Sequence, residues 1–123
     1  MDTCRRNNRS VGAGYEQMAA DYLESRGHLI LERNYRNRYG EIDIISRDGE
    51  TIVFHEVKFR NSAACGNPLE AVNYQKQRKI SRVALYYCSV RGLGDNQSFR
   101  FDVIAVYGDG RIEHVENAFE FVG

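Results

Sequence analysis

Four ionisable side chains stand close together in "GEIDIISRDGETIVFHEVKFR", residues 40 to 60: Glu41, Asp43, Glu56 and Lys58. The segments that carry them otherwise read as apolar strands. Carboxylates gathered on one sheet face repel one another, and burying even one ionised and unpaired costs several kcal/mol. A positive charge must therefore sit among them. Lys58 is one candidate, and a divalent cation is the other, since Mg²⁺ takes a few carboxylate oxygens and keeps waters at its remaining positions.

The elements that position these groups follow from the local pattern. Asp48-Gly49 lies between two β-branched runs, "EIDIIS" and "TIVFHEVKF", which is a strong short-range signal for a hairpin. With Asp48 and Gly49 as its two loop residues, Arg47 faces Glu50, Ile45 faces Ile52, Asp43 faces Phe54 and Glu41 faces Glu56. Strict alternation then projects Glu41, Asp43, Ile45, Ile52, Phe54, Glu56 and Lys58 from one side of the sheet. Asp43 and Glu56 become diagonal neighbours roughly 7 Å apart at the backbone, within reach of one shared ion. A helix over residues 12 to 26 supplies a further carboxylate. Tyr15, Met18, Ala19, Tyr22 and Leu23 recur at helical spacing, Gly27 ends the run, and Glu16 falls inside the apolar arc.

A basic polar loop, "NYRNRYG", follows a short strand over residues 28 to 33. A second helix opens with Asn67 as N-cap, Pro68 at the first position and Glu70 three residues after the cap, and Asn73 is a second cap-like residue expected to bend it. Its stripe of Ile80, Val83, Ala84, Tyr87 and Cys88 is apolar. "SFRFDVIAVY" and "RIEHVE" complete the set as strands. The order helix, three strands, helix, two strands predicts an α/β fold with one mixed sheet covered by helices. Residues 1 to 11 are expected to be a flexible tail and residues 12 to 123 a single domain.

Composition narrows the function classes. The 123 residues carry 17 Lys+Arg and 17 Asp+Glu, so a uniformly basic nucleic-acid binder is excluded. Residues 1 to 94 nevertheless hold 15 Lys+Arg against 11 Asp+Glu, which leaves room for a locally basic face. Cys4, Cys65 and Cys88 are odd in number and lack zinc or disulfide spacing, which fits a reducing compartment. No stretch reaches the roughly 18 apolar residues of a membrane span. A cytoplasmic protein without membrane partners is expected.

Asp43, a short hairpin, then Glu56-Val57-Lys58 resembles the PD-(D/E)XK nuclease superfamily, and the element order matches its restriction-endonuclease-like core. More narrowly, "GAGYEQMAADYLESRG", "NYR", "GEIDII", "VFHEVKFR", "AVNYQKQR" and "RFDVIAV" resemble the YraN family, placed near the archaeal Holliday-junction resolvases. The resemblance implies an endonuclease acting on DNA, with branched or repair intermediates as candidate substrates. Asp43, Glu56 and the Val57 carbonyl would bind Mg²⁺ or Mn²⁺, Glu16 would join the metal shell, and Lys58 would act on the attacking water. Ile42 precedes Asp43 where the superfamily name has proline, and His55 stands where an apolar residue is expected. Junction-cutting relatives work as dimers, so the resemblance leaves a homodimer and a protein partner open.

Each signal also has a plainer reading. The carboxylates and Lys58 could form a structural ion-pair network. Glu41 is either part of the site or a strand-end carboxylate paired with Arg36 or Arg38. Arg36, Arg38, Arg60, Lys76 and Arg78 are the candidate phosphate contacts, with Arg33, Lys79 and Arg82 nearby; the alternative is an ordinary solvated surface. Lys76 stands out because backbone donors at a helix N-terminus also favour phosphate. His55 projects away from Glu56, His28 and His114 are isolated in sequence, and Asp102 reads as structural, so none of these four is assigned a role. A nucleic-acid-binding module that has the fold but does not cut is the rival function.

Overall fold

The computed structural model describes residues 9–60 and 72–123, with side chains from Gly14 onward. The elements are α1 (Arg9–Ser25), β1 (Leu29–Asn37), β2 (Gly40–Asp48), β3 (Thr51–Arg60), α2 (Tyr74–Val90), β4 (Phe99–Tyr107) and β5 (Ile112–Phe119). This is the expected α/β order, αβββαββ. The strands form one five-stranded sheet in the order β1-β2-β3-β4-β5, with β3 and β4 parallel and every other pair antiparallel.

The two helices cover opposite faces. Ala19, Ala20 and Leu23 of α1 pack on Ile44, Ile104 and Val106. Ile80, Val83, Ala84 and Tyr87 of α2 pack on Ile45, Ile52, Phe54, Phe101 and Val103. Sandwiched between them, β4 is buried without interruption from Phe101 to Tyr107, which is why "FDVIAVY" reads as a nearly continuous apolar run. Full burial of each large aliphatic or aromatic side chain contributes about 1.5–3 kcal/mol, so these two layers hold the sheet in place.

Local chemistry sets the boundaries. Past Ser25, the His28 N–H bonds the Leu23 carbonyl at 2.9 Å and the Gly27 N–H bonds Glu24 at 3.1 Å, which closes the last turn of α1. Asn73 caps α2 outright, its side chain accepting the Lys76 N–H at 2.9 Å, so it starts the helix where a bend was expected. The Asn67–Pro68–Glu70 arrangement lies outside the described residues, as does most of the expected tail. Residues 9 to 11 of that tail already belong to α1.

Three expectations about the strands change. First, β1 runs on to Asn37 and absorbs most of the expected "NYRNRYG" loop, leaving a tight turn at Arg38 and Tyr39. The Asn37 side chain accepts the Tyr39 N–H at 2.9 Å, and Gly40 closes the turn at φ 148° with Val83 so near that a Cβ would stand 3.3 Å from it. Second, the hairpin turns at Gly49-Glu50, and Asp48 pairs with Thr51. Gly49 takes φ 63° at the first central position, where a primed turn requires it. Pairing partners slip by two residues, so the pairs become Ile45 with Phe54 and Ile44 with His55, a shift that by itself moves no side chain to the other face.

The third change matters most for function. Strict alternation does not survive along β2, because Ile42 and Ile45, an odd number of residues apart, both pack against α2, whereas Ile44 packs against α1. The paired strand breaks at the same level: Arg33 pairs with Ile44 and Tyr35 with Ile42, and Asn34 between them has φ 54°. Asn is among the few side chains that take this left-handed conformation readily. Asp43 sits at this kink.

Candidate metal centre

The regular β2–β3 ladder ends at Ile44 and His55. Beyond it the Asp43 side chain stands in for the missing backbone partner, its Oδ2 accepting the Val57 N–H at 2.8 Å. The N–H and C=O of one strand residue project to the same edge, so the Val57 carbonyl faces the gap that Asp43 enters. Burial pushes the Asp43 carboxyl up to about 8; the neighbouring Glu56 and Glu16 charges push the same way, and the Val57 N–H and Lys58 only partly offset them. Glu16, on α1, is near enough for its charge to help raise Asp43, and its own carboxyl is also raised, chiefly by burial.

Glu56 follows on β3 and is 7% exposed. Its Oε2 is 2.9 Å from the Lys58 Nζ and 3.0 Å from the Lys76 Nζ. Burial works against the Lys76 ammonium, yet the Glu56 carboxylate outweighs it and the net shift of Lys76 is upward. The Asn73 cap that starts α2 at Tyr74 also fixes where this lysine emerges. Asp43, Glu56, Lys58, Lys76 and Glu16 therefore share one end of the sheet, where β2 and β3 part and both helices approach. Oxygens from Asp43, Glu56 and the Val57 carbonyl could hold a hard divalent cation, and the two ammonium groups could face an anion.

The other expected residues fall differently. Glu41 pairs with Arg36 at 2.9 Å on the exposed rim, the strand-end alternative considered for it. Arg38 is exposed and lies 5.2 Å over the Tyr39 ring, and Arg78 is exposed on α2. Arg60 is buried at the end of β3, because it pairs with Tyr107 in the centre of the sheet, and so it leaves the basic surface. Lys76 turns inward to Glu56. The Glu16, Asp43 and Glu56 carboxylates do not draw into one tight trio.

Among the described residues, the set of three ligating side chains whose donor atoms lie within 4.8 Å of one another is His55, Asp102 and His114, on the opposite, α1-covered face. Sequence reasoning missed this gathering. Each residue comes from a different strand, so no local spacing announces it.

Comparison with known proteins agrees with the fold. Residues 15–106 match the family described as "Uncharacterised protein family UPF0102". A UPF0102 protein of Thermodesulfovibrio yellowstonii is 50% identical over 109 residues, covering 89% of this chain and 95% of the relative. One from Syntrophus aciditrophicus is 53% identical over 116 residues, covering 92% and 91%, and one from Alkaliphilus oremlandii is 50% identical over 116 residues, covering 91% and 99%. The chain belongs to the UPF0102, or YraN, family, a member of the restriction-endonuclease-like nuclease superfamily.

Proposed function

We propose that this chain is a metal-dependent endonuclease acting on DNA, with branched or repair intermediates as its substrates. Asp43, Glu56 and the Val57 carbonyl would hold Mg²⁺ or Mn²⁺, and Glu16 would complete the acidic shell. The observation that carries this reading is the parting of β2 and β3 at Asp43, which turns a buried carboxylate and a strand carbonyl into the same gap beside Glu56 and Lys58. The donor set fits a hard cation, because it is all oxygen and because the Asp43 carboxyl resists ionisation until something positive compensates it. When bound, such an ion polarises a phosphate oxygen and lowers the pKa of a coordinated water.

The chain's own groups do the remaining work. Lys58, 2.9 Å from Glu56, is placed to orient the attacking water or to neutralise charge developing on the phosphate. Lys76 neutralises Glu56 in the free protein and could transfer to a DNA phosphate. Exposed Arg36, Arg38 and Arg78 would contact the backbone on either side.

One observation favours a second reading. Two lysine ammonium groups pair with the single Glu56 carboxylate, as expected of a non-catalytic nucleic-acid-binding module working within a larger complex. Incubating a branched and a linear DNA with Mg²⁺ or Mn²⁺ separates the two. Products from the wild type that vanish with Asp43→Asn support the nuclease; salt-sensitive binding with no product under either ion overturns it.

A further inference from the structure

The chain contains three histidines, and all three meet on the α1-covered face of the sheet. The His28 and His55 rings are 5.8 Å apart, His55 and His114 5.9 Å, and His28 and His114 6.4 Å. Asp102 of β4 joins them and is fully buried. We propose that His55, Asp102 and His114 form a second metal site, for a borderline transition ion such as Zn²⁺, that fastens β3, β4 and β5 behind the proposed nuclease centre.

Two independent observations point to a ligand. The first is the gathering itself: one ligand atom from each of the three residues lies within 4.8 Å of the others. Ligands of one Zn²⁺ ion at about 2.0–2.1 Å in tetrahedral array sit roughly 3.4 Å apart, so modest side-chain rotation brings them to bonding distance. The second is an orphan. His55 is 1% exposed, and its Nδ1 is buried with no hydrogen-bond partner among the described residues. Leaving such an atom unmet is costly, because its hydration is lost and nothing replaces it.

The surroundings resemble the outer support of a metal site, where each ligating imidazole gives its other nitrogen to an oxygen. The His55 Nε2 is 2.7 Å from the Ser46 hydroxyl, which in turn meets the His28 Nδ1 at 2.9 Å. The His114 Nδ1 is 3.1 Å from the Tyr22 hydroxyl on α1. Asp102 Oδ1 accepts from Arg100 Nε at 3.0 Å and from the Asn117 N–H at 2.9 Å, while Oδ2 faces the His114 Nε2 at 2.7 Å. Arg100 does not repel a cation outright, because Asp48 at 3.2 Å shares it and the Asp48–Arg100–Asp102 group stays net negative. Two imidazoles and a carboxylate, with water as the fourth ligand, suit Zn²⁺. On binding, the ion displaces the proton between His114 Nε2 and Asp102 Oδ2, which leaves to solvent.

The test uses the full chain carrying Asp43→Asn, which disables the other face, stripped of metal and titrated with ZnCl₂. The expected results are one Zn²⁺ per chain, a raised melting temperature, and shifts of the His55 and His114 imidazole resonances in nitrogen-15 NMR. Adding His114→Asn should weaken binding by at least tenfold. Should that variant fail to fold, Tyr22→Phe, which removes only the outer hydroxyl, is expected to weaken it about tenfold. Zn²⁺ that leaves the His55 and His114 resonances unmoved, or that binds equally well in these variants, overturns the proposal and leaves a purely hydrogen-bonded network.

Discussion

At the scale of single residues, the protein concentrates its unusual chemistry at Asp43 and its neighbours. An aspartate normally loses its proton near 3.8, whereas Asp43 in the fold is raised to about 8, chiefly by burial. Between these values the folded chain holds a proton that the unfolded chain has released. Stability of the metal-free protein therefore falls as pH rises from about 4 to about 8. Asp43→Asn should flatten this dependence and raise the metal-free melting temperature at pH 8.5 by about 5 °C or more; thermal melts at pH 5.5 and 8.5 give the comparison. An unchanged pH slope in the variant would mean that Asp43 is not the group responsible. Lys58 belongs to the same scale. Lys58→Ala should leave the fold intact and reduce metal-dependent cleavage by about 10²–10⁴-fold, the range for a positioned proton-transfer group, and single-turnover kinetics at saturating metal would show it. Full activity in Lys58→Ala would remove that side chain from the mechanism.

At the scale of elements, the site depends on two devices that break regularity. One is the kink at Asn34 and Asp43, where a left-handed Asn on β1 and a side-chain-for-backbone substitution on β2 open the sheet. The other is the Asn73 cap, which fixes the first turn of α2 and the exit of Lys76. Asn73→Ala should cost about 1 kcal/mol and loosen the Lys76–Glu56 pair. Equilibrium urea unfolding measures the first effect, and a loss well below 0.5 kcal/mol would argue against the cap. These devices mark where the sequence was and was not legible. Helix spacing around Leu23 and Val83 and the β-branched arms around Gly49 gave the order of elements directly. The loop residues of the hairpin came out displaced by one, which moves every pairing partner by two; this is harmless because side chains alternate with period two and a two-residue shift of partner returns each one to its own face. The kink was not legible, since its cause is the fit between two strands at Asn34 and Asp43. For the same reason Lys76 read as a surface residue and His28 and His114 as isolated ones: their partners are set by the order of strands across the sheet, which no local spacing encodes.

At the scale of the whole molecule, a sheet covered on both faces exposes one end, where β2 and β3 part, and the basic residues near it decide how nucleic acid would approach. Arg36, Arg38 and Arg78 are exposed, whereas Arg60 is buried and Lys76 faces Glu56. If the three arginines each neutralise one phosphate, the triple alanine variant should lower the slope of log affinity against log salt by roughly 2–3. Fluorescence anisotropy over a salt series reads that slope, and an unchanged value would place DNA elsewhere. Among the described residues no helix is long and apolar enough to cross a membrane. The central claim, a cation held between Asp43 and Glu56, is tested most directly by isothermal calorimetry of Mn²⁺ with the wild type and with Asp43→Asn, each in the presence of uncleavable DNA. The account predicts saturable binding in the wild type that is lost in the variant. Equal binding in both, or none in either, would contradict it.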